Sequence, residues 1–334
     1  MIFCSNTKEQ KIKNSSPLYG NIKERLGARN KMAKKSKKVV YILQNGRALN
    51  KKEFCRYIEK KVFYSIRKFK LLEEKDKIAV ACSGGKDSSV ALAILAKFCK
   101  QRRRKIAALA IDEGITGYRD KLIKELKKFC KKLDIPLHIF SFKKEYGFTL
   151  DKIIKKVRKI DLTNCYVCSI LKRWLLNKKA KELGFTKIVT GHNLDDEAET
   201  ILLNQLKGNA ALLAKLGPKV GVRKVKGFVQ RVKPLYFLSA KEIILYAKLN
   251  NLPCSLQVCP LRGETLRVEI REWLYKMERK YPNVKNAIVN SFLEILPLLK
   301  KKYEKAKLQK CAKCKEPCNM KICKRCQLVE MLKR

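Results

Sequence analysis

The apolar run Ile78-Ala79-Val80-Ala81-Cys82 passes directly into Ser83-Gly84-Gly85-Lys86-Asp87-Ser88, and then into a helical pattern of Val90, Ala93, Ile94 and Lys97. A strand, a glycine turn and a helix start follow one another without a linker. Such a chain must turn sharply at the strand end and aim the free N–H groups of a new helix at whatever lies beyond it. Two consecutive glycines let the backbone approach a ligand closely, and the positive end of the helix dipole favours an anion, normally phosphate. Lys86 adds a mobile positive charge. The stretch is neither a G-x-x-x-x-G-K-S/T loop nor a G-x-G-x-x-G dinucleotide fingerprint. A turn that merely joins two elements is the plain alternative, and the flanking patterns count against it.

Short apolar runs at 78–82, 106–111, 137–141 and 187–190 alternate with helical stretches. This is the signature of an α/β fold with a doubly wound parallel sheet. Ligands of such sheets bind beyond the carboxyl ends of the strands, where the strand order reverses. Ser83, Asp112 and Gly191-His192 each fall just past a strand end, so three segments are expected to converge on one pocket.

The sequence divides at composition changes. Residues 1–38 are polar and basic, with Lys34-Lys35-Ser36-Lys37-Lys38, and are expected to be a disordered extension. Met32-Ala33-Lys34-Lys35 reads like a translation start, which would leave the preceding segment outside the mature protein. Residues 39–75 should form a hairpin across Gln44-Asn45-Gly46-Arg47, followed by a helix with Phe54, Ile58, Val62 and Ile66 on one face. The sheet domain is expected over 76–300 and a small cysteine module over 301–334.

No segment reaches the roughly 18 uncharged apolar residues that would span a membrane, and there is no apolar signal core. A cytoplasmic protein is expected, and its 14 cysteines then point to metal ligands or catalysis before disulfides. Lys and Arg number 79 against 30 Asp and Glu, a net charge of +49 that points to a polyanionic partner, RNA or DNA first. A lysine-rich proteome or adaptation to heat or salt accounts for part of that excess. Arg223, Lys224 and Lys226, with Arg267 and Arg271 one turn apart on a basic helix over 265–280, are the expected phosphate contacts; a solvated helix face is the alternative.

Acidic residues are scarce, yet four crowd into Asp195-Asp196-Glu197-Ala198-Glu199. A helix N-terminus capped by Asn193 explains part of this. Magnesium binding with ATP phosphates, or proton transfer, would give Asp195 or Asp196 a second role.

Cys165-Tyr166-Val167-Cys168 opens a helical stretch, and Cys259-Pro260 lies far downstream. A thioredoxin-like pair is disfavoured because these cysteines do not open the first helix of a βαβ unit. Three thiolates can hold an iron–sulfur cluster with one iron left open, or relay sulfur as persulfide. Cys55, Cys82, Cys99, Cys130 and Cys254 read as small buried hydrophobes. At the C-terminus, Cys311-x-x-Cys314 and Cys323-x-x-Cys326 form two knuckles suited to one tetrahedral zinc, with Cys318 outside the set.

From about residue 39 to 334 the combination resembles the tRNA 2-thiouridine synthetase family, the TtuA type with its wobble-uridine relatives, within the PP-loop ATP pyrophosphatases of the adenine nucleotide alpha-hydrolase-like fold. The features that carry the resemblance are SGGKDS at 83–88, C-x-x-C-S-I-L-K-R at 165–173, GHNLDDEAET at 191–200, Pro234-Leu235-Tyr236, Cys259-Pro260 and the double knuckle. The resemblance implies an ATP-dependent tRNA sulfurtransferase that adenylates a uridine C2 carbonyl, after which sulfur displaces AMP. It implies ATP with Mg2+ on Ser83, Gly84, Gly85, Lys86, Asp87, Ser88, Asp112, Gly191 and His192. It further implies a 4Fe-4S cluster on Cys165, Cys168 and Cys259, and catalytic roles for Asp87, Lys172 and Asp196. Implied partners are tRNA, a ubiquitin-like carrier ending in a thiocarboxylate or sulfide as donor, and a second copy in a homodimer.

One departure stands out. Members usually begin with a second zinc module, but no C-x-x-C occurs around residues 41–54, where Asn50 and Glu53 stand instead, so one zinc is expected, at the C-terminus. Synthesis of 2-thiocytidine or lysidine is the competing enzyme reading, and the terminal knuckles argue against it. A noncatalytic tRNA-binding partner subunit would be expected to lose SGGKDS, which is intact here.

Overall fold

A computed structural model describes residues 38–159, 162–263, 265–305 and 308–333. The expectations for residues 1–37 lie outside the described residues. The chain divides into two compact units at residues 52 and 53. The described part of the first is a hairpin of β1 (Val39–Ile42) and β2 (Ala48–Asn50), paired antiparallel. Its turn closes with Leu43 N–H donating to Arg47 O and Gly46 N–H to Leu43 O, both at 2.9 Å.

The second unit is built on a five-stranded sheet of order β5-β4-β3-β6-β7, every neighbouring pair parallel. The strands are β3 (Ile78–Ala81), β4 (Ile106–Asp112), β5 (Leu137–Ser141), β6 (Lys187–Val189) and β7 (Gln230–Val232). β7 was not foreseen: it is short and only Val232 is apolar, so no hydrophobic run announces it. It forms by pairing with β6 at the sheet edge, where Gln230 Oε1 accepts from Lys187 Nζ at 3.0 Å.

Helices cover both faces, which is why the inner strands read as unbroken apolar runs. α2 (Lys86–Gln101) and α3 (Arg119–Leu133) follow β3 and β4. α6 (Asn164–Glu182) lies on the opposite face, where its Ala180 packs with Ala79, Leu109 and Ile188. Between them in sequence come α4 (Phe142–Tyr146) and α5 (Leu150–Lys159), and α1 (Lys51–Lys68) precedes the sheet. The remaining helices are α7 (Leu194–Leu206), α8 (Ala210–Leu213), α9 (Ala240–Leu249), α10 (Leu266–Lys280), α11 (Val284–Tyr303) and α12 (Lys324–Lys333). α7, α10 and α11 share a second core around Tyr236, Leu274 and Phe292. None of the described helices is long and apolar enough to cross a membrane.

The strand order reverses between β3 and β6. Ile78, Ala79 and Val80 pair with Lys187, Ile188 and Val189, so the loops leaving these two strands emerge side by side. That juxtaposition positions the site.

All described cysteines are free. Cys82, Cys99 and Cys130 are buried as expected, but Cys55 and Cys254 are only half-buried, and Cys55 Sγ accepts from Asn250 Nδ2 at 3.3 Å. The hydrophobe reading is corrected for these two: each sits where its element meets solvent rather than the core.

Candidate active site and metal centres

The turn after β3 is held by its own hydroxyls. Ser88 Oγ accepts from Ser83 N–H at 3.2 Å and donates to Gly85 O at 3.0 Å, where Ser89 Oγ donates as well at 3.1 Å. Gly85 is the N-cap of α2 and uses no capping side chain, which leaves the first N–H groups of the helix to a ligand. Glycine is required twice. Gly84 has φ +84°, and a Cβ there would lie 3.0 Å from Leu122 O; a Cβ on Gly191 would lie 2.8 Å from Ser88 N. The loop after β6 therefore rests directly on the first turn of α2.

This contact brings two carboxylates together through Asn193, whose side chain is buried. Asn193 Nδ2 donates to Asp87 Oδ1 at 2.9 Å, and its backbone N–H donates to Asp196 Oδ2 at 3.1 Å. Lys86 Nζ holds the other Asp87 oxygen at 2.8 Å. Burial, and then the Asp87 charge, push the Asp196 carboxyl up to about 7. A raised Asp196 carboxyl linked to Asp87 through Asn193 suits a divalent cation or a shared proton.

The neighbouring acids are committed elsewhere. Asp195 pairs with Lys285 and accepts from Ala240 N–H at 2.8 Å, Glu197 pairs with Lys233 at 2.6 Å, and Glu199 takes the fork of Arg271 at 2.6 and 2.8 Å. Of Asp195 and Asp196, Asp196 is thus the one that faces the turn. Because its carboxyl ionises near 7 when folded but near 3.8 when free, ionisation costs the ligand-free fold stability as pH rises through that window, with the full cost above 7. Asp196→Asn should therefore melt about 2 °C or more above the parent at pH 8, with the gain shrinking toward pH 5, in calorimetric scans of nucleotide-free protein. A pH-independent difference would mean that Asp196 is an ordinary capping residue.

On the other side of the turn, buried Arg119 donates to Ser83 O and, at 2.8 Å, to Ile111 O, and lies 2.9 Å from Glu113. Glu113 in turn holds Lys172 Nζ at 2.8 Å. Burial alone would depress the Lys172 ammonium, but the Glu113 carboxylate and the Cys168 sulfur outweigh it and hold it above its ordinary range. Glu113 moves the opposite way: burial would raise it, and Lys172 and Arg119 bring it below the usual carboxylate value. Glu113 and Arg119 are positioning residues that the sequence reading missed, whereas Asn193 caps its helix as expected and in addition reaches Asp87. Asp112 accepts from Gly114 N–H at 2.9 Å and so shapes its own turn at the β4 end.

Lys172 belongs to α6, whose N-terminus carries Cys165 and Cys168. Thr163 caps that end by accepting from Tyr166 N–H at 3.2 Å, and Asn164 Nδ2 reaches Leu261 O at 3.3 Å, tying the Cys259 turn to the same helix end. Burial, before any other cause, pushes Cys168 up to about 11 and raises Cys259 too, and the sulfurs of Cys165, Cys168 and Cys259 act on one another. Three thiols that act on one another beside a fixed ammonium suit an iron–sulfur cluster; Cys168 and Cys259 pack against the apolar core while Cys165 is exposed.

In the terminal module the four sulfurs of Cys311, Cys314, Cys323 and Cys326 lie within 4.8 Å of one another. Burial would raise the Cys311 thiol, but backbone N–H groups of Cys323, Cys314 and Lys313 bring it down to about 6. Cys318 instead donates to Met320 O at 2.8 Å. Four preassembled thiols fit a tetrahedral metal.

His192 has an edge open to solvent, yet crowding in the cleft and then the Lys233, Arg173, Arg231 and Arg267 cations hold its imidazole at about 3. Its Nδ1 shares a hydrogen bond with Thr190 Oγ1 at 2.9 Å. Of the five basic residues expected at phosphates, Arg223 and Lys224 line a cavity beside α6 and Lys226 is exposed nearby. Arg271 forks onto Glu199, and Arg267 Nη2 donates to Thr200 Oγ1 at 3.0 Å, so both guanidiniums have partners within the protein.

A PP-loop domain family profile matches residues 58–257. A tRNA 2-thiolation protein of Haloferax volcanii is 33% identical over 309 residues, spanning 88% of this chain and 96% of that one. A tRNA-5-methyluridine(54) 2-sulfurtransferase of Pyrococcus horikoshii is 35% identical over 280 residues, spanning 84% and 86%. Among solved structures, the U34-tRNA thiolase of Methanococcus maripaludis with its 4Fe-4S cluster superposes with a TM-score of 0.76 at 29% identity, covering 89% of this chain and 94% of that one.

Proposed function

Because this chain belongs to the PP-loop family of tRNA 2-thiolation proteins, we propose that it replaces the C2 oxygen of a tRNA uridine with sulfur at the expense of ATP. The observation that carries this is the chain of contacts from the turn at Ser83 through Arg119 and Glu113 to Lys172 and the three cysteines. It fixes a nucleotide cradle and a sulfur centre in one rigid frame. The relatives' names point to two target positions, 54 and 34, so the chemistry carries over rather than the address.

In the proposed reaction the N–H groups of α2 and Lys86 receive the ATP phosphates, and Asp87 with Asp196 holds Mg2+ against them. The uracil C2 oxygen bonds to the α-phosphorus and pyrophosphate leaves. A sulfur nucleophile then bonds to C2, the C–O bond breaks, and AMP leaves. Cys165, Cys168 and Cys259 would hold a 4Fe-4S cluster, which supplies an open iron for sulfide. Lys172 offsets the negative charge that a sulfur donor brings, and Glu113 keeps that ammonium in place. Sulfur arrives as sulfide or from a ubiquitin-like carrier ending in a thiocarboxylate, in the cytoplasm, and two copies pair as a homodimer. Position-mapped mass spectrometry of tRNA nucleosides from a deletion strain tests the reading; a full complement of 2-thiouridine in that strain would end it.

The terminal module holds one zinc in this proposal. Metal analysis should find one zinc per chain that survives loss of iron, and Cys311→Ser should abolish it and lower the melting temperature. Two zinc ions per chain would overturn the assignment of Asn50 and Glu53 as replacements for lost ligands.

A further inference from the structure

With so few acids, the fold pairs its inner cations one by one. Lys61 has Glu242, Arg119 and Lys172 share Glu113, Lys233 has Glu197, Arg271 has Glu199 and Lys285 has Asp195. Half-buried Arg231 on β7 breaks this pattern, and Arg173, exposed on α6, stands beside it. Neither guanidinium has a carboxylate or a hydrogen-bond acceptor among the described residues, although they stand close enough to repel. Burial and then the Arg173 charge bring Arg231 down to about 10. Both border His192, at the rim of the candidate active site.

The two arginines line a cavity of about 490 Å3 between α6, β7 and the terminal module. Its walls carry six cations, the others being Lys215, Arg223, Lys224 and Arg325, against one acid, Glu304. Two further donors on this wall, Trp174 Nε1 and Arg325 Nε, are buried without a partner. Phe228 presents an aromatic face that is 46% exposed. Unmatched donors and like charges beside a bare ring ask for a ligand rich in acceptors, negatively charged and partly planar.

On the thiolation reading above, we propose that this cavity binds one unpaired nucleotide of the tRNA strand adjoining the target uridine, its phosphodiester on Arg173 and Arg231 and its base against Phe228. The nucleotide would anchor the strand while the target base reaches the turn at Ser83. A strand rather than a free nucleotide is favoured because Arg173 and Arg231 line the cavity and also act on His192 beside the turn, and because the chain's charge of +49 suits a long polyanion.

The test measures binding of an unmodified tRNA transcript to the full chain against salt concentration. Because both arginines serve one phosphate, the Arg173→Gln/Arg231→Gln double variant should lower the slope of log affinity by about one, and each single variant by less. Phe228→Ala should weaken binding roughly tenfold with the slope unchanged. A single neutral methylphosphonate moved along the strand near the target should weaken the parent at one position and leave the double variant unaffected. The double variant should keep ATP affinity and melt no lower than the parent, since it removes a repulsion. An unchanged slope, or loss of AMP or ATP affinity in place of tRNA affinity, would overturn the proposal. If the parent thiolates tRNA and the double variant keeps the slope, this cavity alone is refuted; if the parent forms no 2-thiouridine, the thiolation reading fails first.

Discussion

Replacing Cys168 with alanine should abolish tRNA thiolation while ATP binding survives, and the same holds for Cys165 and Cys259. The proposed sulfur centre and nucleotide cradle are separate constructions, one on the N-terminus of α6 and the other on the ends of β3 and β6, joined through Glu113 and Arg119. Removing one sulfur leaves that joint untouched. Protein purified without oxygen should be brown with about four irons per chain. Each alanine variant should be pale, with 2-thiouridine below detection by mass spectrometry and an unchanged ATP titration. Colourless, iron-free protein that thiolates at full rate with sulfide would replace the cluster with persulfide relay.

The second large effect belongs to Asp87. Asn193 and Lys86 fix both of its oxygens, so Asp87→Asn keeps the shape of the turn but removes the charge beside Asp196. Production of AMP and pyrophosphate should fall by about a hundredfold or more if the carboxylate holds Mg2+ against the phosphates. Chromatography of the nucleotide products decides this, and release of ADP and orthophosphate by the parent protein would exclude the PP-loop chemistry. Near-full activity in the variant would move the metal role to other groups.

The sheet was legible because β3, β4 and β6 are buried and must be written as apolar runs, and because β5, a half-buried edge strand, still carries Leu137, Ile139 and Phe140. The fifth was not, since Gln230 and Arg231 satisfy an edge position by pairing and by charge rather than by hydrophobicity. Within the site, the turn and the cysteine pairs are local patterns and could be read directly. Asn193, Glu113 and Arg119 act across long sequence separations, and only the pairing of β3 with β4 and β6 brings them to the turn. The crowd of acids misled in the same way: three of its four members answer to Lys233 just after β7, Arg271 on α10 and Lys285 on α11, which no spacing within residues 195–199 reveals.

Helix α12 supplies Leu328 and Leu332 to the same core as Val167 and Leu171 of α6, directly beneath the Cys165–Cys168 pair. A ribosome therefore cannot finish that floor until residue 332 has emerged and folded back. The nascent chain can form its sheet and its phosphate turn well before it has a dry place for a sulfur centre. On the proposal that this helix end holds a sulfur centre, its floor is complete only in a chain synthesised through residue 332.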